Sequence, residues 1–179
     1  MIKRVIPGDI TARSNPRHII RGINDTLDDL SGIGLENVER LKQSLLHPLI
    51  LGSTVRFGFE GDRKLFMVVC HKIGKGGWAN ADNYIRYAMD NLHHSDEVEG
   101  LKGQEYSIVQ IGAGPVGDRD GADVGSIITA MATSLLPVTL FVNDFSQIRP
   151  SVKKASPPHL VAEVAWHPEF GRQELAYAA

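Results

Sequence analysis

Hydrophobic and polar positions alternate along the chain in blocks that predict an α/β order of elements. Short apolar or alternating runs are typical of strands, and apolar residues that recur every three or four positions are typical of helices. The predicted strands are Met1–Ile6, His18–Ile23, Leu49–Phe59, Lys64–His71, Tyr106–Ile111, Val138–Val142 and Leu160–Trp166. The predicted helices are Leu35–Leu46, Tyr84–Leu92 and a helix between Gly117 and Val138. This order predicts an α/β fold, a single three-layer α/β/α domain with a mixed central sheet.

The predicted domain spans the whole chain, residues 1–179, with its core at about 1–145. Residues 146–179 are expected to form a C-terminal loop over Ile148–Pro158, an extra strand at the sheet edge and a tail. The last segment, Phe170–Ala179, is expected to be a frayed tail or the remnant of a tag. Continuous apolar runs are typical of strands that are buried on both faces. We therefore expect Ile108–Ile111 and Val138–Val142 in the middle of the sheet.

The chain centres on the stretch Tyr106–Asn143, where a glycine-rich turn separates a strand from an acidic link and a helix. Gly112, Gly114 and Gly117 form this turn. Glycine allows the backbone to approach a ligand closely, and the free N–H groups at a helix start favour an anion. The pattern therefore predicts a ligand that carries phosphate. A glycine-rich turn without any ligand is the alternative.

The same glycines spell G-x-G-x-x-G, which is also typical of dinucleotide-binding Rossmann folds. Two observations count against that interpretation. Only about 60 residues follow the turn, too few for the rest of a doubly wound sheet. The acidic residue Asp144 follows Gly112 by 32 positions, whereas a ribose-binding residue is expected after about 20.

Composition limits the classes of function. The formal net charge of −2 argues against an extensive nucleic-acid footprint, since phosphate backbones are bound by clustered Lys and Arg. The single cysteine, Cys70, is compatible with a reducing cytoplasm, and no apolar run is long enough to span a membrane. The run His93-His94 lacks further His or Cys at ligand spacing, so we expect no metal, and no cofactor is expected.

Four segments stand at the ends of predicted strands or just before predicted helices. They are Gly8–Thr11 (GDIT), Ile20–Asn24 (IRGIN), Ser31–Gly34 (SGIG) and Ile111–Gly117 (IGAGPVG). Together and in this order they resemble the loops of the macro domain family, which binds ADP-ribose. The resemblance covers about residues 1–143.

The resemblance implies where ADP-ribose or a related nucleotide would lie. Asp9 would bind the adenine amino group, with the Ile10 backbone beside it, and Asn24 would face the distal ribose. The two glycine-bearing loops would lie against the diphosphate, so the pocket is expected between them and the Asp9 turn. The ligand-binding residues implied are Asp9, Ile10, Asn24, Ser31, Gly32, Ile33, Gly34, Gly112, Ala113, Gly114, Pro115, Val116, Gly117, Phe141 and Asn143.

The hairpin Leu49–Lys72, followed by a helix and IVQIGAG, looks most like the terminal ADP-ribose glycohydrolase branch of this family. That branch uses a Lys just past the hairpin and an Asp beside the second loop, which implies catalysis by Lys72 and Asp118. Lys75 and Asp120 are neighbours that the match does not separate from them, and Asn24 could orient a water instead. ADP-ribosylated protein is the implied partner.

The sequence also departs from the family pattern. The loop Ser31–Gly34 lacks the usual run of three or four glycines, and Asp25, Asp28 and Asp29 bring negative charge close to it. Two alternatives to an enzyme therefore stay open. One is a module that binds ADP-ribose without turnover, and the other is a scaffold that uses the fold for protein contacts.

Overall fold

A computed structural model describes residues 1–12, 14–27, 43, 49–58, 62–99, 103–113, 115–142, 162–167 and 171–174. Within these ranges the strands are β1 (Ile2–Pro7), β2 (His18–Asn24), β3 (Thr54–Gly58), β4 (Lys64–His71), β5 (Tyr106–Val109), β6 (Val138–Val142), β7 (Ala162–His167) and β8 (Gly171–Glu174). The helices are α1 (Ala81–Val98), α2 (Pro115–Asp120) and α3 (Val124–Thr133).

All the strands belong to one mixed sheet in the order β1-β6-β5-β2-β4-β3-β7-β8. The first five strands in this order are parallel to one another, and β3, β7 and β8 are joined by antiparallel pairings. The α/β class with a mixed central sheet is therefore confirmed. Because β1, β6, β5, β2 and β4 are parallel, the loops that follow them lie at one end of the sheet. We call this the carboxyl end, and the opposite one the amino end.

Apolar side chains cover both faces of the sheet. Helices α1 and α3 pack on one face, where Ile85, Met89 and Met131 join the same buried cluster as Val68 and Ile108. The other face carries a second buried cluster, which includes Ile19, Ile23, Phe57, Met67 and Phe141. Two apolar faces fit the three-layer arrangement that the pattern predicted. The helix predicted over Leu35–Leu46 lies outside the described residues, apart from Gln43.

Strands β5 and β6 lie inside the sheet and are largely buried, as their apolar runs predicted. Strand β5 ends at Val109, so Ile111 belongs to the turn beyond it, although its side chain is buried. The central positions of the sheet are taken by β2 and β4 rather than by β5 and β6. Both of these strands are buried along most of their length.

The C-terminal part differs from the sequence prediction in two ways. The strand predicted at the sheet edge is β7, which lies inside the sheet between β3 and β8. The segment predicted as a frayed tail contains β8, which pairs antiparallel with β7. Strand β7 is held by its pairing with β3, in which Thr54 lies opposite Trp166. A pairing between residues more than 100 positions apart leaves no trace in the local pattern of residues. The loop predicted over Ile148–Pro158 lies outside the described residues.

A buried arginine holds the loop between β1 and β2. Arg63 is 8% exposed and donates to the carbonyl oxygens of Ala12 and Asn15 at 3.1 and 3.0 Å. Asn15 is buried too, and its Nδ2 donates to the Ile10 carbonyl at 2.8 Å. Hydrogen bonds from a charged donor are stronger than neutral ones, and buried carbonyls that lose their donor are costly. Arg63 therefore fixes the loop that begins with Asp9.

Replacement of this arginine should destabilise the fold. We expect Arg63→Met to lower the free energy of unfolding by about 3 kcal/mol, because the apolar chain keeps its volume but leaves buried carbonyls without a donor. Urea unfolding followed by circular dichroism measures the loss. Arg86→Met on the exposed face of α1 is the control, and its effect should stay within about 0.5 kcal/mol. Equal effects of the two variants would contradict the role of Arg63.

His18, the first residue of β2, is held as one neutral tautomer. Its Nδ1 accepts the backbone N–H of Lys64 at 3.0 Å, so its Nε2 carries the proton and donates to Gln104 Oε1. Burial lowers the pKa of His18 below the usual value of 6.5, because desolvation disfavours the imidazolium ion. The unfolded chain therefore binds this proton more readily than the folded chain. The stability that depends on neutral His18 is present above pH 6.5 and is lost as the pH falls through 6.5 to the lower folded pKa.

Acid should consequently weaken the fold through this residue. Between about pH 7.5 and about pH 5 we expect His18 to account for a loss of about 1 kcal/mol, the value of the hydrogen bond that protonated Nδ1 can no longer accept. Thermal unfolding of the parent and of His18→Gln at both pH values measures it, and the acid-induced drop should shrink in the variant. His94→Gln, at an exposed site on α1, should leave the drop unchanged. If acid lowered the stability of His18→Gln as much as that of the parent, His18 would not be the source of the pH dependence.

Candidate functional site

The described loops that follow β1 and β2 begin at the carboxyl end of the sheet, beside the ends of β6 and β4. Gly8 follows β1 and donates its N–H to the carbonyl of Val142, at the end of β6, at 3.3 Å. Asp25 follows β2 and donates its N–H to the carbonyl of His71, at the end of β4, at 3.1 Å. Ligands of open α/β sheets collect at the carboxyl ends of parallel strands. The fold therefore assembles the described loops where a ligand site is expected.

The GDIT segment forms a tight turn around a carboxylate. Gly8 has φ +134°, and Asp9 Oδ1 accepts the backbone N–H of Thr11 at 2.8 Å and its hydroxyl at 2.7 Å. Both of these bonds use the same carboxylate oxygen. Within the described residues Oδ2 has no hydrogen bond, and the side chain of Asp9 is exposed. The turn thus presents one carboxylate oxygen to the surface, while Ile10 is buried in the core.

Asn24 ends β2 and is almost completely buried, with 2% of its surface exposed. Its Oδ1 accepts the backbone N–H and the hydroxyl of Thr26, each at 3.1 Å. It lies opposite His71 in the parallel pairing of β2 with β4. Asn24 is therefore a fixed side chain at the carboxyl end of the sheet, and its predicted role toward a ribose stays a prediction.

The second glycine-rich loop is packed more tightly than the sequence pattern alone requires. Gly112 has φ +80°, and a Cβ there would lie 2.9 Å from Ile127 Cδ1. A Cβ on Gly117 would lie 1.9 Å from the carbonyl oxygen of Gly112. The backbone of α2 therefore lies directly on the turn. Only glycine fits at either position.

The acidic link predicted after this loop is part of the helix α2, which ends at Asp120. A second helix, α3, follows, and Asp123 caps its start by accepting the backbone N–H of Ser126 at 3.0 Å and its hydroxyl at 2.8 Å. These bonds lower the pKa of Asp123. The expectation that free N–H groups of the main helix favour an anion is thus wrong for α3, because its own carboxylate occupies that position. Anion binding at the glycine-rich turn after β5 stays a prediction.

The lysine segment after β4 folds into a compact turn. The N–H of Lys72 donates to the carbonyl of Gly77, and the N–H of Gly77 donates to the carbonyl of Gly74, both at 2.9 Å. Gly74 and Gly76 have positive φ angles of +96° and +78°. Lys72 and Lys75 are exposed on this turn.

Two aromatic rings that sequence reasoning missed lie beneath this turn. His71 and Trp78 are 2% and 7% exposed, and their rings stack at a centroid distance of 3.9 Å and an angle of 8°. Trp78 also borders the second loop, since a Cβ on Gly112 would lie 3.5 Å from its ring. The sequence feature that could have indicated this pair is the position of the two rings on either side of one glycine-rich segment. The stacked pair links the end of β4 to the Gly112 turn.

Asp118 and Asp120, the two acidic candidates, differ in their surroundings. Asp118 is exposed, whereas Asp120 is 5% exposed. Arg119 donates from Nε and Nη2 to the two oxygens of Asp120 at 2.8 and 3.1 Å. These bonds, together with the N–H of Gly74 and the proximity of His71, lower the pKa of Asp120. Asp120 is therefore the carboxylate that joins the lysine turn to α2.

The other predicted ligand-binding residues divide into two groups. Phe141 is 7% exposed within the second core cluster, Gly117 is buried, and Ala113 and Val116 are half-buried. Ser31, Gly32, Ile33, Gly34, Gly114 and Asn143 lie outside the described residues. The predicted pocket between the Asp9 turn and the two glycine-bearing loops therefore stays a prediction.

Within the described ranges, no group of three or more His, Cys, Asp or Glu side chains could hold a metal ion. Among the described helices, none combines the length and the apolar character needed to cross a membrane.

Comparison with known proteins yields structural similarities alone. No protein-family model matches the chain, and no curated protein sequence does. A protein of unknown function from Bacteroides thetaiotaomicron is similar in structure, with a TM-score of 0.49 and 16% identity over 79% of this chain and 98% of that one. A macrodomain protein from Streptomyces coelicolor is similar with a TM-score of 0.45 and 19% identity over the same shares of the two chains. The α/β class itself rests on the sheet and the helices described above.

Proposed function

We propose that the chain binds ADP-ribose or a related nucleotide diphosphate at the carboxyl end of its sheet. The observation that carries this proposal is the packing of Gly117 on Gly112, where a Cβ would lie 1.9 Å from a carbonyl oxygen. This packing holds the backbone of the loop in one conformation, and a fixed loop backbone can present its N–H groups to a diphosphate at a low cost in entropy. The segment Ile111–Gly117 also resembles the second phosphate loop of macro domains.

The other loops supply contacts to the remaining parts of such a ligand. Asp9 Oδ2 can accept a hydrogen bond from an adenine amino group, because Oδ1 already holds the turn. Asn24 is held by Thr26 at the end of β2 and would face the distal ribose. The parallel strand order supports a common site, since β1, β2 and β5 end at the same end of the sheet. Rigid polar groups around a ligand reduce the entropy that binding costs.

Ligand-dependent stability tests this function. ADP-ribose at about 100 times its dissociation constant should raise the free energy of unfolding by roughly 2.7 kcal/mol. AMP and NAD are tested beside it by thermal shift, and a preference for NAD would favour the Rossmann alternative. If none of them stabilises the protein, the hypothesis that remains is a scaffold that binds no nucleotide.

An isosteric substitution locates the adenine contact. Asp9→Asn keeps an acceptor for Thr11 but replaces the free oxygen by a donor, so we expect ADP-ribose affinity to fall about tenfold in calorimetry. Asp62→Asn, at an exposed position, makes the same change of charge away from the loops and should bind as the parent does. Equal affinities of the parent and Asp9→Asn would remove Asp9 from the site.

Hydrolysis of ADP-ribosyl linkages is the second candidate function. The position of Gly74 beside Asp120 favours it, because it places the turn that carries Lys72 next to α2. Lys72, as the free amine, would displace the linked group from the anomeric carbon of the distal ribose, and Asp118 would protonate the departing group. Water would then cleave the bond between Lys72 and the ribose and so release ADP-ribose. Release of ADP-ribose from a mono-ADP-ribosylated protein tests this activity. Binding without release would instead favour a module that recognises ADP-ribose or ADP-ribosylated protein.

A further inference from the structure

A surface pocket of about 180 Å³ opens at the amino end of the sheet. Tyr106 and Val138 line it and are the first residues of β5 and β6. The Gly112 turn follows the other end of β5. A strand of this kind spans about 15 Å, so the pocket is separate from the proposed nucleotide site.

Basic side chains dominate this pocket. Lys3, Arg4 and Arg17 line it, together with one acidic residue, Glu105. Arg17 Nε contacts Glu105 Oε2 at 3.0 Å, so these two charges largely balance each other. Lys3 and Arg4 are exposed and have no ion pair within the described residues. The pocket therefore carries a surplus of positive charge, which attracts an anion.

A β-bulge brings the two basic residues of β1 to the same pocket. Ile2 lies opposite Val138 and Arg4 lies opposite Thr139, so Lys3 is the extra residue in this pairing. Neighbours on a regular strand point to opposite faces of the sheet, and a bulge changes the direction of a side chain. Without the irregular pairing, Lys3 and Arg4 would not be expected to line one cavity.

Two neutral donors complete the lining. Gln104 uses its Oε1 to accept the Nε2–H of His18, which leaves its NH2 group as a donor. The hydroxyl of Thr139 has no hydrogen bond within the described residues, although Thr139 itself is only 6% exposed. Cationic and neutral donors in one cavity suit an oxyanion with several acceptor oxygens. The volume is below the 300 to 1,000 Å³ of sites for drug-sized ligands, so the anion must be small.

We propose that this pocket binds a phosphate group, through Lys3 and Arg4 as cationic contacts and Gln104 and Thr139 as neutral donors. The group can come from free inorganic phosphate or from a phosphorylated side chain of a peptide. The site goes beyond the proposed nucleotide function and does not depend on it.

Nuclear magnetic resonance with ¹⁵N-labelled protein tests the proposal. Inorganic phosphate is titrated in a low-salt buffer that contains no other phosphate, and the amide signals of Arg4 and Thr139 should shift in a saturable way. Arg4→Gln should weaken phosphate binding about tenfold, and the near-isosteric Thr139→Val about fivefold. Arg86→Gln removes the same charge from an exposed site on α1, so it should bind phosphate as the parent does.

Three results would overturn the site. One is the absence of saturable shifts at millimolar phosphate. Another is equal weakening by Arg4→Gln and Arg86→Gln, since this would indicate diffuse charge attraction. The third is a set of shifts confined to Gly112–Gly117, which would assign phosphate to the nucleotide loop.

A phosphoserine peptide and its unphosphorylated form separate the two sources. Binding of the phosphopeptide at least about tenfold tighter than phosphate, with the same loss in Arg4→Gln, would identify a phosphorylated protein segment as the ligand. If the phosphopeptide binds no more tightly than inorganic phosphate, the ligand of the pocket is a small free anion. Equal binding of both peptides would refute recognition of the phosphate group.

Discussion

Gly117→Ala should destabilise the protein by about 3 kcal/mol, at the upper end of the usual cost of overpacking. The added Cβ would lie 1.9 Å from the carbonyl oxygen of Gly112 and 2.7 Å from its carbonyl carbon. These atoms belong to the backbone, so no side chain can rotate away to relieve the contact. Either α2 moves off the turn or the turn opens. ADP-ribose affinity should fall at least about tenfold as well, because the diphosphate contacts depend on that geometry.

A neighbouring glycine separates this clash from backbone strain. Gly121 has φ +83°, and a Cβ there would meet nothing within 4 Å. Gly121→Ala should therefore cost only about 1 kcal/mol, from its left-handed backbone conformation. Urea unfolding of both variants, with calorimetry of ADP-ribose binding, provides the comparison. If Gly117→Ala proved as stable as Gly121→Ala, the turn would not need the close approach of α2.

Lys72→Ala should abolish release of ADP-ribose if the chain is a hydrolase. We expect a loss of at least about a hundredfold in rate, and a similar loss for Asp118→Ala, which removes the proposed acid. Lys75→Ala changes the exposed neighbouring lysine on the same turn and tells the two candidate lysines apart. It should stay within about twofold of the parent, as surface substitutions usually do.

The pattern of losses distinguishes the mechanisms. If the parent releases no ADP-ribose, the hydrolase hypothesis fails and a binding module remains. If Lys72→Ala stays active while Asp118→Ala is inactive, a water activated near Asp118 or Asn24 is the better mechanism. If Asp120→Asn alone is inactive, the buried carboxylate that contacts Gly74 is the group that matters.

The glycine-rich turn after β5 shows how far local sequence information extends. The pattern G-x-G-x-x-G predicted a turn between β5 and a helix, and such a turn exists with Gly112 at φ +80°. The pattern did not predict that Gly117 packs on Gly112, because that contact depends on the path of α2. It also did not predict that Asp123 would cap α3 and remove that helix start as an anion site.

The acidic candidates illustrate the same limit. The resemblance favoured Asp118 but did not exclude Asp120, since both follow the glycine loop within four positions. The fold separates them by burial, because Asp120 lies under Arg119 and next to Gly74 while Asp118 faces solvent. His71 and Trp78 were missed for a related reason. Their rings stack although His71 ends β4 and Trp78 lies seven positions later, just before α1, and the turn between them has no regular period.

The sequence by itself determined the strands β1 to β6 and the helices α1 and α3, whose apolar periodicity is strong, and hence the α/β class. Periodicity is sufficient there because each element must bury one or both of its faces against the sheet. The tertiary structure alone decided the partners: β7 between β3 and β8, Arg63 on the loop after Asp9, and the basic pocket formed by a bulge in β1. Such contacts join residues far apart in the chain, so no local pattern of residue types encodes them.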